Sequence, residues 1–393
     1  MVGFRVAGVT SALSLGYLWF LIGIVWIPTN KLYQQGLVVL LWLPALIAVV
    51  RLRRYLIPVS QPEKHLLWLV LLLLAWAGLS VIWTEALEPL RELKRVLYVG
   101  LFLSVFVLLA QERPGFVWKG LGLAFVLLAL SCPISIYLFY GGGLHPLQAR
   151  LSGMGQAGHP ILGAYVMAMA VVWGLQCLPR IGWQRIVWGA LLAMLMLFIA
   201  LGQSRGAMLA LGLATISMPF WGGGRGAWLV FLSACLIAVL GFFWFAPFIL
   251  ARGLSHRPDI FWSSVNMISQ NPWLGLGIGA DYRVVTAYFP GGVDHSHNVF
   301  THAAIELGIP GLILWAGLWL AAFRVAWGAR QSREGCILLS SLLVSCVAQQ
   351  FDAASLWESP RAEWFVTWLP IGLAIALAVQ RGRTEKRVVS PRA

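Results

Sequence analysis

The chain reads as long apolar runs cut by short polar breaks. Twelve runs fall near residues 9–27, 35–50, 66–83, 96–110, 117–139, 160–178, 186–201, 207–220, 227–250, 303–323, 335–350 and 364–380. Inside each run the apolar residues are continuous rather than alternating, which predicts helices, and most runs approach the ~20 residues that carry a helix across a bilayer. Lipid offers the backbone no hydrogen-bond partners, so a chain dissolved in it must satisfy its own N–H and C=O groups. The pattern predicts an all-α polytopic integral membrane protein of about 12 transmembrane helices, with residues 1–393 as a single transmembrane domain. The runs 186–201 and 207–220 are kept apart because the break Gly202-Gln203-Ser204-Arg205-Gly206 holds a charge. The first run follows Arg5 without a small-residue cleavage site, which predicts a retained span rather than a removed leader.

Composition strengthens this reading and charge orients it. With 60% hydrophobic and 11% charged residues, the chain has too little polar surface for a soluble fold. Most of its 28 Lys and Arg fall on one set of alternate breaks, among them Arg51, Arg53, Arg54 and Lys64, and the tail residues Arg381, Arg383, Lys386, Arg387 and Arg392. The bias of Lys and Arg toward the cytoplasm then predicts that both termini are cytoplasmic, with 381–393 a basic tail. Topology and anionic lipid account for that basic face, and nothing points to nucleic acid. Every long loop falls on the opposite side, and residues 251–301 form the longest, a candidate lid. The five cysteines lie in apolar runs without the spacing of a metal or redox motif.

Cations on the outer side work against the orientation bias, so they are candidates for holding an anion. Arg91, Lys94 and Arg95 share a helical face, and Arg150, Arg205, Arg252, Arg257 and Arg283 stand singly. Arg205 is the best placed. Ser204 is positioned to cap the helix that follows, where outward N–H groups and the positive helix end favour a phosphate beside the guanidinium. Downstream, residues 258–269 predict a short amphipathic helix with Ile260, Phe261, Val265 and Ile268 on one side. Gly275, Gly277 and Gly279 then break it; no strand precedes them, so they are not a dinucleotide fingerprint.

Three of the seven histidines, His295, His297 and His302, cluster where an apolar run begins. The run from Ile309 is short for a crossing, so its helix is predicted to start near Val299 or Thr301 and to pass Pro310-Gly311 with a kink. His297 and Asn298 then sit at its N-terminal mouth. The positive helix end disfavours an imidazolium there, keeping the ring in the state that accepts a proton.

His297-Asn298, nine residues, then Gly308-Ile309-Pro310-Gly311 resembles the pattern H-[NSR]-x9-G-x-x-[GTY] of the bacterial O-antigen ligase family. The Ser204-Arg205-Gly206 break, and Arg257 followed by a Trp and the NPWLGLGIG run, come in the same order as other landmarks of that family. The resemblance covers about residues 150–320 in detail and the remainder as hydropathy. It implies an inner-membrane glycosyltransferase of the GT-C type that moves O-polysaccharide from undecaprenyl diphosphate to a sugar hydroxyl of lipid A-core, on the periplasmic side and without a metal or other cofactor. It implies that His297 is the catalytic residue and that Arg205 and Arg257 grip the diphosphate. Asn298, His295, Arg150, Ser204, Arg91, Lys94 and Arg95 are supporting candidates; His295 and His302 lie outside the family pattern.

The residue types suit that chemistry independently. A glycosyl diphosphate already carries its leaving group, so the work left is to spread negative charge, which arginines do, and to deprotonate a hydroxyl, which a neutral histidine does. One base without a second carboxylate predicts displacement with inversion. Other readings stay open: an O-antigen polymerase or protein O-oligosaccharyltransferase using the same donor, a metal site of His295 and His297 with Asp281 or Asp294, or a transporter or flippase. The oligomeric state is not legible.

Overall fold

The computed structural model describes residues 2–52, 64–179, 181–221, 256–352 and 355–389, with short pieces between 224 and 236. Arg53, Arg54, Arg180, Arg225, Arg252, Arg392 and most of the run 227–250 lie outside the described residues. Each other apolar run falls on a helix. In chain order these are α1 (Val2–Trp26), α2 (Asn30–Leu37) continuing through a π-helical turn at Val38–Trp42 into α3 (Leu43–Leu52), α4 (Lys64–Leu79), α5 (Pro89–Glu112), α6 (Phe116–Tyr140), α7 (Pro160–Gln176), α8 (Gly182–Leu201), α9 (Arg205–Trp221), α10 (Arg257–Gln270), α11 (Val299–Gly328), α12 (Arg333–Phe351), α13 (Glu363–Val366) and α14 (Trp368–Val389). Among the described residues there is no sheet, and one isolated antiparallel bridge joins Val284 to Val293. Eight helices among them are long and apolar enough to cross a membrane.

Helices apolar all round must be buried in protein on one side and face lipid on the other. The inner side holds Trp173, Trp315, Trp357, Trp364 and Trp368, all essentially closed to solvent. The outer side exposes Ile186 at 76% and Leu320 at 71%, an apolar surface suited to lipid. Within the bundle α12 packs on α9, α7 and α11, α11 also packs on α4, and α14 packs on α5. That places α12 among the elements that carry the candidate residues.

The predicted kink in α11 is real, and its cause is a strap rather than Pro310 alone. Gly308 sits at φ 69°, ψ −174°, outside any helical region, so the carbonyls before it lose their partners. The glycine run takes them over. Leu276 N–H donates to Ile305 O at 2.8 Å, Gly277 N–H to Glu306 O at 2.8 Å, and Trp76 Nε1 to Leu307 O at 2.9 Å. In return Ile309 N–H donates to Pro272 O at 2.7 Å. The strap needs glycine because it runs at touching distance: a Cβ on Gly308 would collide with the Trp273 carbonyl, and one on Gly279 with the Glu92 side chain. Gly308→Ala is therefore expected to cost about 1–3 kcal/mol in backbone strain plus the clash, read as a lower melting temperature of the detergent-solubilised protein. An unchanged melting temperature would show that the strap yields freely.

The amphipathic helix α10 runs from Arg257 to Gln270, close to the prediction, but its inner face differs. Ile260 and Ser264 are buried and Met267 and Ile268 pack with them, whereas Phe261 is 39% and Val265 36% exposed. The expected stripe through Phe261 and Val265 thus corrects to one through Ile260 and Ser264. Ser264 fits inside because its hydroxyl donates back to Ile260 O at 2.8 Å, leaving no open donor.

Candidate functional site

The candidate residues converge on the C-terminal end of α12. Its last residues, Gln350, Phe351 and the capping Asp352, each hold a different segment. Gln350 Oε1 accepts from Asn298 Nδ2 at 2.8 Å. The Phe351 carbonyl accepts from Arg257 Nη1, and Asp352 Oδ1 accepts from Arg257 Nη2 at 2.6 Å. Asp352 Oδ2 accepts from the Tyr165 hydroxyl of α7 at 2.9 Å. A helix C-terminus is the negative end of the dipole and leaves open carbonyls, so a guanidinium docks there with two forces in its favour.

The break between α8 and α9 meets the same point. Gly206 abuts the Tyr165 hydroxyl and the Asp352 carboxylate so closely that a Cβ there would collide with both. Arg205, half-buried, is the residue before it. Ser204 Oγ accepts from Ala207 N–H at 3.3 Å, the cap read from the sequence. Arg150 joins from the side: its Nε donates to Gly202 O at 3.1 Å, and Leu151 N–H donates to Leu201 O at 3.0 Å.

His297 sits at the mouth of α11. Asn298 caps that helix, its Oδ1 accepting from Phe300 N–H at 2.8 Å and Thr301 N–H at 3.2 Å. Its side chain therefore ties the turn to both α11 and α12. His297 Nδ1 lies 3.1 Å from His295 Nε2. Burial, then His295 and then the Arg257 guanidinium push His297 down from the usual histidine range to about 4, with Asp352 pulling the other way. Burial also lowers His295, opposed by Asp294 and Glu358. Both rings therefore stand neutral at neutral pH.

Backbone strain marks the same places. Among the described residues the non-glycine positions with left-handed φ are Gln203 (48°), His256 (55°) and His297 (52°). One lies two residues before Arg205, one immediately before Arg257, and the third is the histidine itself. Such conformations cost roughly 1–3 kcal/mol each and persist where the surroundings impose them, often at functional sites.

The other sequence candidates lie elsewhere. Arg91 pairs with Glu88 at 2.9 Å on an exposed face, and Arg95 takes both oxygens of buried Glu92 at 2.8 Å. Lys94 is exposed on the same helix. Glu92 and Arg95 border a second polar cluster in which Gly279 N–H donates to Glu306 Oε1 at 2.9 Å, Glu306 lies 3.3 Å from His302 Nε2, and His302 Nδ1 meets the Tyr282 hydroxyl at 2.7 Å. His302 is buried and tied to the strap through Glu306 and Tyr282. Of the residues in the rival metal reading, His295 and His297 face each other and Asp294 approaches Arg283 at 3.9 Å; among the described residues no group of three His, Cys, Asp or Glu side chains is placed to hold a metal ion. Sequence reading missed Asp352 and Tyr165. A lone Asp at the end of an apolar run carries no motif, and only the fold brings it to Arg257.

An all-helical membrane protein with neutral histidine and arginine gathered at helix ends is the class this geometry defines. Residues 190–316, which include Arg205, Arg257, His297 and Asn298, match the sequence model of the O-antigen ligase family (Wzy_C). The chain is also 28% identical over 374 residues to an O-antigen ligase of Pseudomonas aeruginosa, covering 94% of this chain and 91% of that protein. The resemblance read from the residues is thereby borne out.

Proposed function

We propose that this protein is an O-antigen ligase, a metal-independent inverting glycosyltransferase of GT-C type. It transfers O-polysaccharide from undecaprenyl diphosphate to a sugar hydroxyl of lipid A-core at the periplasmic face of the bacterial inner membrane. In this reading the chain crosses the bilayer about twelve times with both termini and the tail 381–393 in the cytoplasm, and the loop 251–301 closes over the site. The observation that carries it is the meeting of Arg257, the Ser204-Arg205-Gly206 turn and the neutral His297 around the end of α12.

The chemistry follows from that arrangement. The acceptor hydroxyl oxygen attacks the anomeric carbon of the donor while the bond from that carbon to the diphosphate oxygen breaks. The hydroxyl proton passes to His297, and the bonding pair leaves with undecaprenyl diphosphate, whose charge Arg205 and Arg257 spread. Guanidinium groups held in place before the reaction suit that task, because they need no reorganisation as the charge develops. Arg257 is held by Asp352 and the Phe351 carbonyl.

The test is transfer in liposomes holding the purified protein, an undecaprenyl-diphosphate-linked glycan and lipid A-core. Polymer linked to core, with the anomeric configuration opposite to that of the donor by NMR, is the expected result. Retention of configuration would overturn the single-displacement mechanism. Extension of lipid-linked glycan in place of core modification would replace ligase with polymerase.

A further inference from the structure

We infer that His295 is a positioning residue that holds His297 in the one tautomer able to take the acceptor's proton; this rests on His297 being the base. A neutral imidazole carries a single N–H, so one ring nitrogen donates and the other accepts. His297 Nδ1 is engaged by His295 Nε2 at 3.1 Å. That leaves Nε2 as the nitrogen for the acceptor hydroxyl. To accept there, His297 must carry its hydrogen on Nδ1, and the bond must run from His297 to His295. His295 in turn must offer a lone pair at Nε2 and keep its own hydrogen on Nδ1.

The local fold is built to present the two rings to each other. They are two residues apart, a spacing that in an extended chain would place both on one face but not in contact across a turn. The left-handed His297 backbone, at φ 52°, folds the segment so that the ring centroids lie 4.1 Å apart at 62°. Buried Ser296 pins the turn from inside, its hydroxyl donating to Asn298 O at 2.9 Å. The charged groups that act on the pair are Arg257 from α10 and Asp352 from the end of α12 on His297, and Asp294 and Glu358 on His295.

The pairing acts in both states of the reaction. Before transfer, an accepting His295 selects the Nδ1–H form of His297. After transfer, the new imidazolium still donates through Nδ1 to the same nitrogen of His295, so the tautomer is held through the step. Without an acceptor at that position the hydrogen is free to occupy either nitrogen, and the Nε2–H form cannot act as base. Histidine tautomers set by a partner on the far nitrogen are worth large factors elsewhere, so the loss expected here is about 10²-fold in kcat.

The experiment compares His295→Leu, His295→Gln, His295→Lys and His297→Ala in the liposome transfer assay, at matched membrane levels. His295→Leu should lower kcat about 10²-fold with the donor KM unchanged. His295→Gln, whose carbonyl accepts from Nδ1–H, should recover most of that loss, and His295→Lys, which only donates, should not. Solid-state NMR of ¹⁵N-histidine-labelled protein should show His297 protonated at Nδ1, and this signature should vanish in His295→Leu. If His297→Ala is inactive while His295→Leu keeps wild-type kcat, or if Lys restores activity as well as Gln, the tautomer inference fails and the base assignment stands. Full activity in His297→Ala would instead remove the base, and this inference with it.

Discussion

His297→Ala should reduce transfer by about 10²–10⁴-fold, the usual contribution of a positioned general base, while leaving the affinity for undecaprenyl diphosphate close to wild type. The split follows from the proposed roles, in which guanidinium groups grip the anion and the histidine meets the acceptor. The same ring sets the acid side of the pH profile. A base works only when neutral, and burial with Arg257 nearby holds His297 at about 4, below the ordinary 6.5. Activity at low donor concentration should therefore persist as pH falls through 6 and be lost only on approaching pH 4. A base that weak is also a poor proton acceptor, which points to a second step. Bound diphosphate places negative charge beside Arg257 and offsets its push on the ring, so the acid limb of kcat should lie at higher pH than that of kcat/KM. Full activity in His297→Ala, or a kcat/KM limb at or above pH 6.5, would reject the assignment.

The architecture was legible because hydrophobic continuity is a local signal. A helix in lipid must be apolar along its length, and most polar breaks among the described residues are where a described helix ends. The Ser204 cap and the start of α11 at Val299 were readable for the same reason: both are fixed by a few neighbouring residues. What escaped was everything that depends on distant contact. The glycine run looked like a breaker, yet its role is to receive carbonyls from Ile305 and Glu306, some thirty residues away in sequence. The inner face of α10 was misread because Phe261 and Val265 are apolar, and periodicity alone does not reveal that small Ser264 is the residue that fits. Arg91 and Arg95 were open to two readings, anion holders or cations balanced by neighbouring glutamates, and the ion pairs with Glu88 and Glu92 favour the second.

Asp352→Ala should separate positioning from binding. Asp352 holds Arg257 at 2.6 Å and Tyr165 at 2.9 Å, and its own side chain is only 7% exposed. Removing it leaves a buried phenol and a half-buried guanidinium without that partner. A charge-assisted bond is worth about 1.5–3 kcal/mol, so a clear fall in melting temperature is expected. The effect on the donor runs the other way. A carboxylate competes with diphosphate for the same guanidinium, so its loss leaves Arg257 with more attraction for the anion and less orientation. Asp352 also supports protonation of His297, and without it the base weakens further. Both losses act in the transition state, so kcat should drop by about 10–10³-fold while donor KM stays level or falls. Asp352→Asn, which keeps an acceptor for Arg257 or Tyr165 but not the charge, should recover stability more than rate. If Asp352→Ala instead raised KM at unchanged kcat, the carboxylate would be part of the donor's binding surface rather than the brace that aims Arg257.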